Sequence, residues 1–183
     1  MAKRTSLREF QESLAARLAS VRRGEATRAL LGVESGHGFW LMDLADSGEV
    51  VPLTELAPVP LTQPWFAGVA NVRGSLYSVV DFAAFRGDEP TPHNADARLL
   101  LIGARHGNNC ALLVNRTLGL KSLDDMSAEP GQAGAAEWIG DAAVDAQGRR
   151  WTRLKITILL GDEKFMDVGL VGYGSTTGES HGL

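Results

Sequence analysis

Few residues in this chain are of types that could carry chemistry, and their spacing argues against it. The four histidines, His37, His93, His106 and His181, fall in turn, loop or tail contexts, and none has a partner at metal-ligand spacing. Cys110 is the sole cysteine. It lies in an apolar stretch with no Cys-X-X-Cys and no adjacent base, so it reads as a small core residue and not as a reactive thiolate. Asp124 and Asp125 are adjacent, which splays their carboxylates apart; a turn or cap suits them better than paired acid–base work. There is no GxSxG elbow and no GxxxxGK phosphate loop. Gly32-Val33-Glu34-Ser35-Gly36-His37-Gly38 is glycine-rich but lacks the strand–turn–helix context of a nucleotide site, and it reads as a flexible joint. Arg149, Arg150, Arg153 and Lys155 surround Trp151, an arrangement that fits either a cation–π stack or the outer face of a sheet. The other cations are too scattered for a single-strand nucleic-acid groove. Asn115-Arg116-Thr117 and Arg86-Gly87-Asp88 spell a glycosylation sequon and an integrin tripeptide, chance matches in a chain that shows no secretory signal. No catalytic residue, cofactor or metal is expected.

With catalysis disfavoured, the question becomes which elements would position a binding surface. The 183 residues are 44% hydrophobic and 22% charged, with a formal net charge of −4. This suits one globular domain, or two small intertwined halves, and gives no general attraction to nucleic acid or anionic membrane. A single cysteine excludes an intrachain disulfide and points to a reducing compartment. Met1-Ala2-Lys3-Arg4 looks like the start of a signal peptide, but Arg8, Glu9, Gln11 and Glu12 interrupt any apolar core. No window approaches the ~20 apolar residues of a membrane span. A cytoplasmic protein is expected.

Residues 1–24 predict an amphipathic helix. Ser6 and Glu9 can form a capping box, Leu7, Phe10, Leu14, Leu18 and Val21 recur at steps of three and four, and Gly24 supplies a stop. The helix can pack on its own domain or bind a partner. Residues 25–38 follow as the joint. Short strands then take over. Phe39–Leu44 and Glu49–Leu53 flank the turn-like Ala45-Asp46-Ser47-Gly48 and predict a hairpin. Prolines 52, 58, 60 and 64 make the next stretch extended. Val69–Val72 and Leu76–Val80 bracket Arg73-Gly74-Ser75, and Asp81 can cap a helical turn over Phe82–Arg86 that Gly87 ends. Residues 88–97 read as a loop between two halves. Arg98–Gly103 and Cys110–Val114 are apolar enough for buried strands, joined through His106-Gly107-Asn108-Asn109. Residues 128–136 are rich in Gly and Ala. Leu154, Ile156 and Ile158 alternate with Lys155 and Thr157, which predicts a half-buried strand after the Asp145-Ala146-Gln147-Gly148 turn. Residues 172–183 lack hydrophobic content and read as a disordered tail. Many short strands with frequent turns favour a mainly β, barrel architecture over parallel α/β.

One stretch resembles a known family. Gly68-Val69-Ala70-Asn71-Val72-Arg73-Gly74, followed by a strand and Val79-Val80-Asp81-Phe82, is similar to the pattern G-V-x-N-L-R-G-x-x-x-P-V-V-D-L. That pattern belongs to CheW-like domains, the receptor–kinase couplers of bacterial chemotaxis. A weaker resemblance runs over roughly residues 37–170, and residues 39–171 are taken as the domain. Ser78 stands where the pattern has proline, Phe82 where it has leucine, and Asn115 where Asp is frequent. The long first helix, the wording G-V-A-N-V-R-G and the late F-M-D-V are similar to the type IV pilus branch, the PilI-like proteins of twitching motility.

The resemblance implies two intertwined five-stranded SH3-like β-barrels and a non-catalytic adaptor. Its implied partners are the cytoplasmic tip of a methyl-accepting chemoreceptor and the regulatory domain of a CheA-type histidine kinase, in arrays recruited to the membrane without insertion into it. A flagellar chemotaxis scaffold and an enzyme of unrecognised type are the competing readings. Carried onto this sequence, the receptor groove comprises Val50, Val51, Leu53, Asn71, Arg73 and Ala111. Gly68, Gly74 and Asp81 have a simpler origin in backbone geometry: two glycines for a close approach and a tight turn, one carboxylate for a cap. On this reading Arg73→Ala or Val51→Asp leaves a folded protein that no longer co-purifies with its receptor.

Overall fold

The computed structural model describes residues 30–102, 109–132 and 134–170. The expected helix over residues 1–24, most of the turn at 106–109 and the tail at 172–183 lie outside these residues. Among the described residues there are twelve strands: β1 (Leu30–Ser35), β2 (Gly38–Asp43), β3 (Ser47–Pro52), β4 (Leu56–Ala57), β5 (Phe66–Val72), β6 (Ser75–Asp81), β7 (Arg98–Ile102), β8 (Cys110–Val114), β9 (Arg116–Lys121), β10 (Met126–Glu129), β11 (Ile139–Asp145) and β12 (Arg150–Leu154). They form two sheets, ordered β10-β11-β12-β2-β1-β9 and β3-β7-β8-β6-β5-β4. The chain starts in the first sheet, builds the whole of the second, and returns to finish the first. The halves are intertwined, as expected, with six strands each where five were expected; β4 has only two residues and β10 four.

Burial explains the apolar runs. Along β8 every residue is buried, and successive side chains serve different cores. Cys110, Leu112 and Val114 face a cluster shared with Leu31, Val33, Trp40 and Met42 of the first sheet. Ala111 and Leu113 face a second cluster with Val51, Val72, Val79, Leu99 and Leu101 that belongs to the second sheet alone. β7 alternates in the same way, with Leu100 and Ile102 toward the shared core. A strand buried on both faces loses the polar alternation of a surface strand, which is why these segments read as continuous hydrophobic runs. The first sheet has its own small cluster: Leu30, Leu41 and Trp151, flanked by Phe39, Leu118 and Met126. The shared cluster is the largest of the three and carries Trp40, Trp65, Phe82, Phe85, Trp138 and Phe165 between the halves. Each fully buried Leu in it contributes about 1.5–3 kcal/mol of transfer free energy.

Several expectations change. Residues 30–38 do not form a joint: Leu30–Ser35 and Gly38–Asp43 pair antiparallel from Leu30↔Asp43 to Ser35↔Gly38. Asn115 Oδ1 accepts from Gly36 N at 2.9 Å and fixes that turn. β2 and β3 are not a hairpin either, because β2 lies between β1 and β12 whereas β3 pairs with β7. The loop at 88–97 links two parts of the second half and not one half to the other. The last strand ends at Leu154, and Ile156–Leu159 forms a helical turn with Ile156 and Leu159 buried. Trp151 is wholly buried, so it is no outer-face residue; of the four cations named with it Arg149 lies over its ring, the guanidinium at 5.7 Å, while Lys121, not among them, brings Nζ to 5.1 Å. Cys110 is buried as expected, and burial pushes its thiol up to about 12.

Candidate partner interface

The residues of the Gly68–Asp81 segment occupy one end and one edge of the second sheet. β5 and β6 pair from Phe66↔Val80 to Val72↔Ser75, joined by the Arg73-Gly74 turn. The three residues assigned to backbone geometry each meet a visible constraint. Gly68 has φ +126°, and a Cβ there would sit 2.5 Å from Ala57 O, so only glycine lets β4 pair against β5. Gly74 has φ +86° with open space around it, so its requirement is conformational, not steric. Asp81 caps the helix Phe82–Arg86, accepting from Ala83 N at 3.0 Å and Ala84 N at 3.2 Å, and Gly87 closes the helix at φ +93°. The same carboxylate also accepts from Thr91 N at 2.7 Å and Thr91 Oγ1 at 2.8 Å. Asp81 and Thr91 are both buried, and four bonds satisfy a carboxylate whose burial would otherwise be costly. Thr91 was not foreseen; nothing in the sequence marks a residue ten positions on as its partner.

Asn71 and Arg73 are both exposed. Asn71 Oδ1 accepts from Gly74 N at 2.9 Å, so this side chain also shapes the turn. Arg73 sits at φ +52°, left-handed for a residue with a Cβ. Its guanidinium makes a two-pronged contact with Glu49 on β3, Nη1 to Oε2 at 2.9 Å and Nη2 to Oε1 at 2.7 Å. The hairpin tip is thereby clasped to β3, the strand at the opposite end of the sheet order. Glu49 was absent from the expected groove, and 24 residues of separation with only complementary charge gave no signal for it. The Arg73 side chain remains 75% exposed in this pair. A clasp so exposed is worth about 0–1 kcal/mol, so a partner carboxylate can take over either prong at small cost.

The other expected groove residues are placed unequally. Val50 and Leu53 are half-buried against the shared and second-sheet cores respectively. Val51 and Ala111 are core residues of the second sheet, 7% and 0% exposed. Both belong to the buried cluster on which Leu53 packs. Leu76, 61% exposed on the same hairpin, lines a shallow groove of about 320 Å³ with Thr54, Glu55, Ala57, Val69 and Asn71. The expected groove did not include this apolar contact, because nothing in the sequence marks which end of the predicted strand Leu76–Val80 stays exposed. Among the described residues no cluster of three or more His, Cys, Asp and Glu could hold a metal ion, and no helix is long and apolar enough to cross a membrane.

The chain is similar to known proteins in sequence and in fold. Residues 29–164 match the family described as CheW-like domain. Over 72 residues, 39% of this chain and 40% of the relative, the sequence is 32% identical to Protein PilI of Pseudomonas aeruginosa. The chain thus matches about two-fifths of the length of that curated relative. Among solved structures, the scaffolding protein TtCheW from Thermoanaerobacter tengcongensis aligns with a TM-score of 0.61 at 16% identity, covering 75% of this chain and 95% of that one.

Proposed function

The chain belongs to the CheW-like domain family, and on that premise we propose that it is a non-catalytic adaptor coupling a methyl-accepting chemoreceptor to a CheA-type histidine kinase. The local identity with Protein PilI favours a system that controls type IV pilus twitching motility over a flagellar array. In this role the protein is cytoplasmic and joins receptor arrays at the membrane through its partners. The receptor tip docks on the end of the second sheet, where Arg73, Asn71, Leu53 and Leu76 are reachable and Val50, Val51 and Ala111 give the surface its shape.

The observation that carries this reading is the exposed two-pronged Arg73 on a rigid turn. The turn holds Arg73 in place through Gly74 and Asn71 while leaving its donors accessible, which is the preorganisation a binding anchor needs. The test is a pull-down of the full chain against receptor-tip and kinase fragments separately. Arg73→Ala and Leu76→Asp are expected to lose receptor capture while keeping the wild-type melting temperature. Full receptor binding by both folded variants would remove this surface from the assignment, and kinase binding without receptor binding in the wild type would make the protein a kinase scaffold. Val51→Asp is no longer a suitable probe, since a carboxylate at a 7% exposed core position is expected to unfold the second sheet.

A further inference from the structure

A second surface lies at the far end of the first sheet. It is a cleft of about 620 Å³ whose walls include Leu123, Met126 and Ile158 with Asp43, Asp46 and Asp141. Leu123 and Ile158 are each about two-fifths exposed, so apolar surface is left open beside carboxylates. Arg153 and Lys155 also line the cleft, but Arg153 is tied to Asp43 at 2.8 Å and Lys155 Nζ donates to Glu137 O at 3.3 Å.

The chain itself delivers a complementary segment to this place. β1 begins at Leu30, whose register partners are Asp43 on the cleft wall and Lys121, two residues before Leu123. Residues 1–29 therefore join the domain at the edge of the cleft. They carry seven Lys and Arg against three Asp and Glu, a net +4, whereas residues 30–183 carry eleven against nineteen, a net −8. Leu7, Phe10, Leu14, Leu18 and Val21 repeat at helical spacing. The eight residues from Arg22 to Ala29 can span up to about 26 Å when extended, ample for that stripe to fold back on the cleft. The cleft has room for a few apolar side chains from one face of such a stripe, and the opposite net charges of the two parts of the chain favour the approach.

We propose that residues 7–21 are the resident occupant of this cleft, docked in cis with their apolar stripe against Leu123, Met126 and Ile158. The occupied cleft closes this end of the first sheet and leaves the Arg73 end of the second sheet as the open face.

The test attaches a nitroxide at Ala16→Cys, on the side of the stripe away from Leu14 and Leu18, in the full chain. Cys110, buried with its thiol pushed up to about 12, does not compete for the reagent. Amide signals of Leu123, Met126, Thr157 and Ile158 are expected to broaden strongly, and those of Leu61 and Leu76 to keep their intensity. Leu14→Asp with Leu18→Asp in the same labelled chain should restore the cleft signals. Persistent broadening in that variant would show mere tethering and overturn the proposal. So would unaffected cleft signals, or broadening that appears only when the labelled chain is mixed with a separate isotope-labelled one, since the occupant would then come from a second molecule.

Discussion

The two halves fill cores of one molecule by different means. The second sheet uses nine buried residues, all aliphatic: Val51, Ala70, Val72, Val79, Ala97, Leu99, Leu101, Ala111 and Leu113. The first sheet, among the described residues, uses Leu30, Leu41 and one indole, Trp151. That indole is held from every side. Its Nε1 donates to Asp145 Oδ2 at 2.9 Å, Phe39 lies 5.6 Å from its ring, and a Cβ on Gly32 would approach its ring edge to 2.9 Å. A distributed aliphatic core tolerates loss at one position because neighbours can close in, whereas a core built around one large ring concentrates its stability there.

The sharpest way to break this contrast is Trp151→Ala. It should cost about 3–5 kcal/mol, against about 2 kcal/mol for Leu99→Ala, which has eight buried cluster neighbours to relax into its space. Urea melts of both variants check this, and equal costs would end the distinction. Next in size is Asp81→Ala, expected to cost about 2–3 kcal/mol, because a helix cap is lost and Thr91 N is left buried without its acceptor. Amide exchange should show the effect centred on Phe82–Arg86 and Thr91.

A smaller, pH-dependent effect separates the halves again. The Trp151 indole N–H, then the backbone N–H groups of Arg149 and Gln147, hold the Asp145 carboxyl below its ordinary 3.8 against a partial desolvation that raises it. A depressed folded pKa contributes stability that is complete above 3.8 and disappears as pH falls through the lower folded value. Tryptophan fluorescence below pH 3.8 should therefore report loosening of the first sheet, and Asp145→Asn should flatten that acid dependence. The smallest expected change is Arg73→Ala, within about 1 kcal/mol in a thermal melt. A larger loss would make the Glu49 clasp a structural brace of the second half and not a surface left for a partner.

What was legible in the sequence was mostly what is decided locally. The Asp81 cap, the Gly87 stop and the Gly74 turn are settled by residues close to one another in the chain, and the structure has them where the spacing put them. Strand partners are settled at a distance. Ala45-Asp46-Ser47-Gly48 has the composition of a hairpin turn, yet β2 finds β12 as a parallel neighbour while β3 finds β7. Leu154 to Ile158 is short enough to satisfy two periods at once. The packing of Ile156 and Leu159 into the shared core decided for the helical one. At the candidate interface the hairpin was readable and the Glu49 contact was not, since an ion pair across 24 residues leaves no periodic trace.

The placement of β8 bears on how such a molecule would respond to a ligand. This strand is a common wall: Leu112 supports both halves while Leu113, its neighbour, supports one. An opening that displaces β8 therefore exposes the shared core and the second-sheet core together. A ligand held at the Arg73 end with free concentration about a hundred times its Kd would add about 2.7 kcal/mol to the stability of the native state as a whole. Slowed exchange of amides in β11, which no such ligand touches, would register that binding event, so occupancy at one end is transmitted to the other as resistance to opening, with no change of shape.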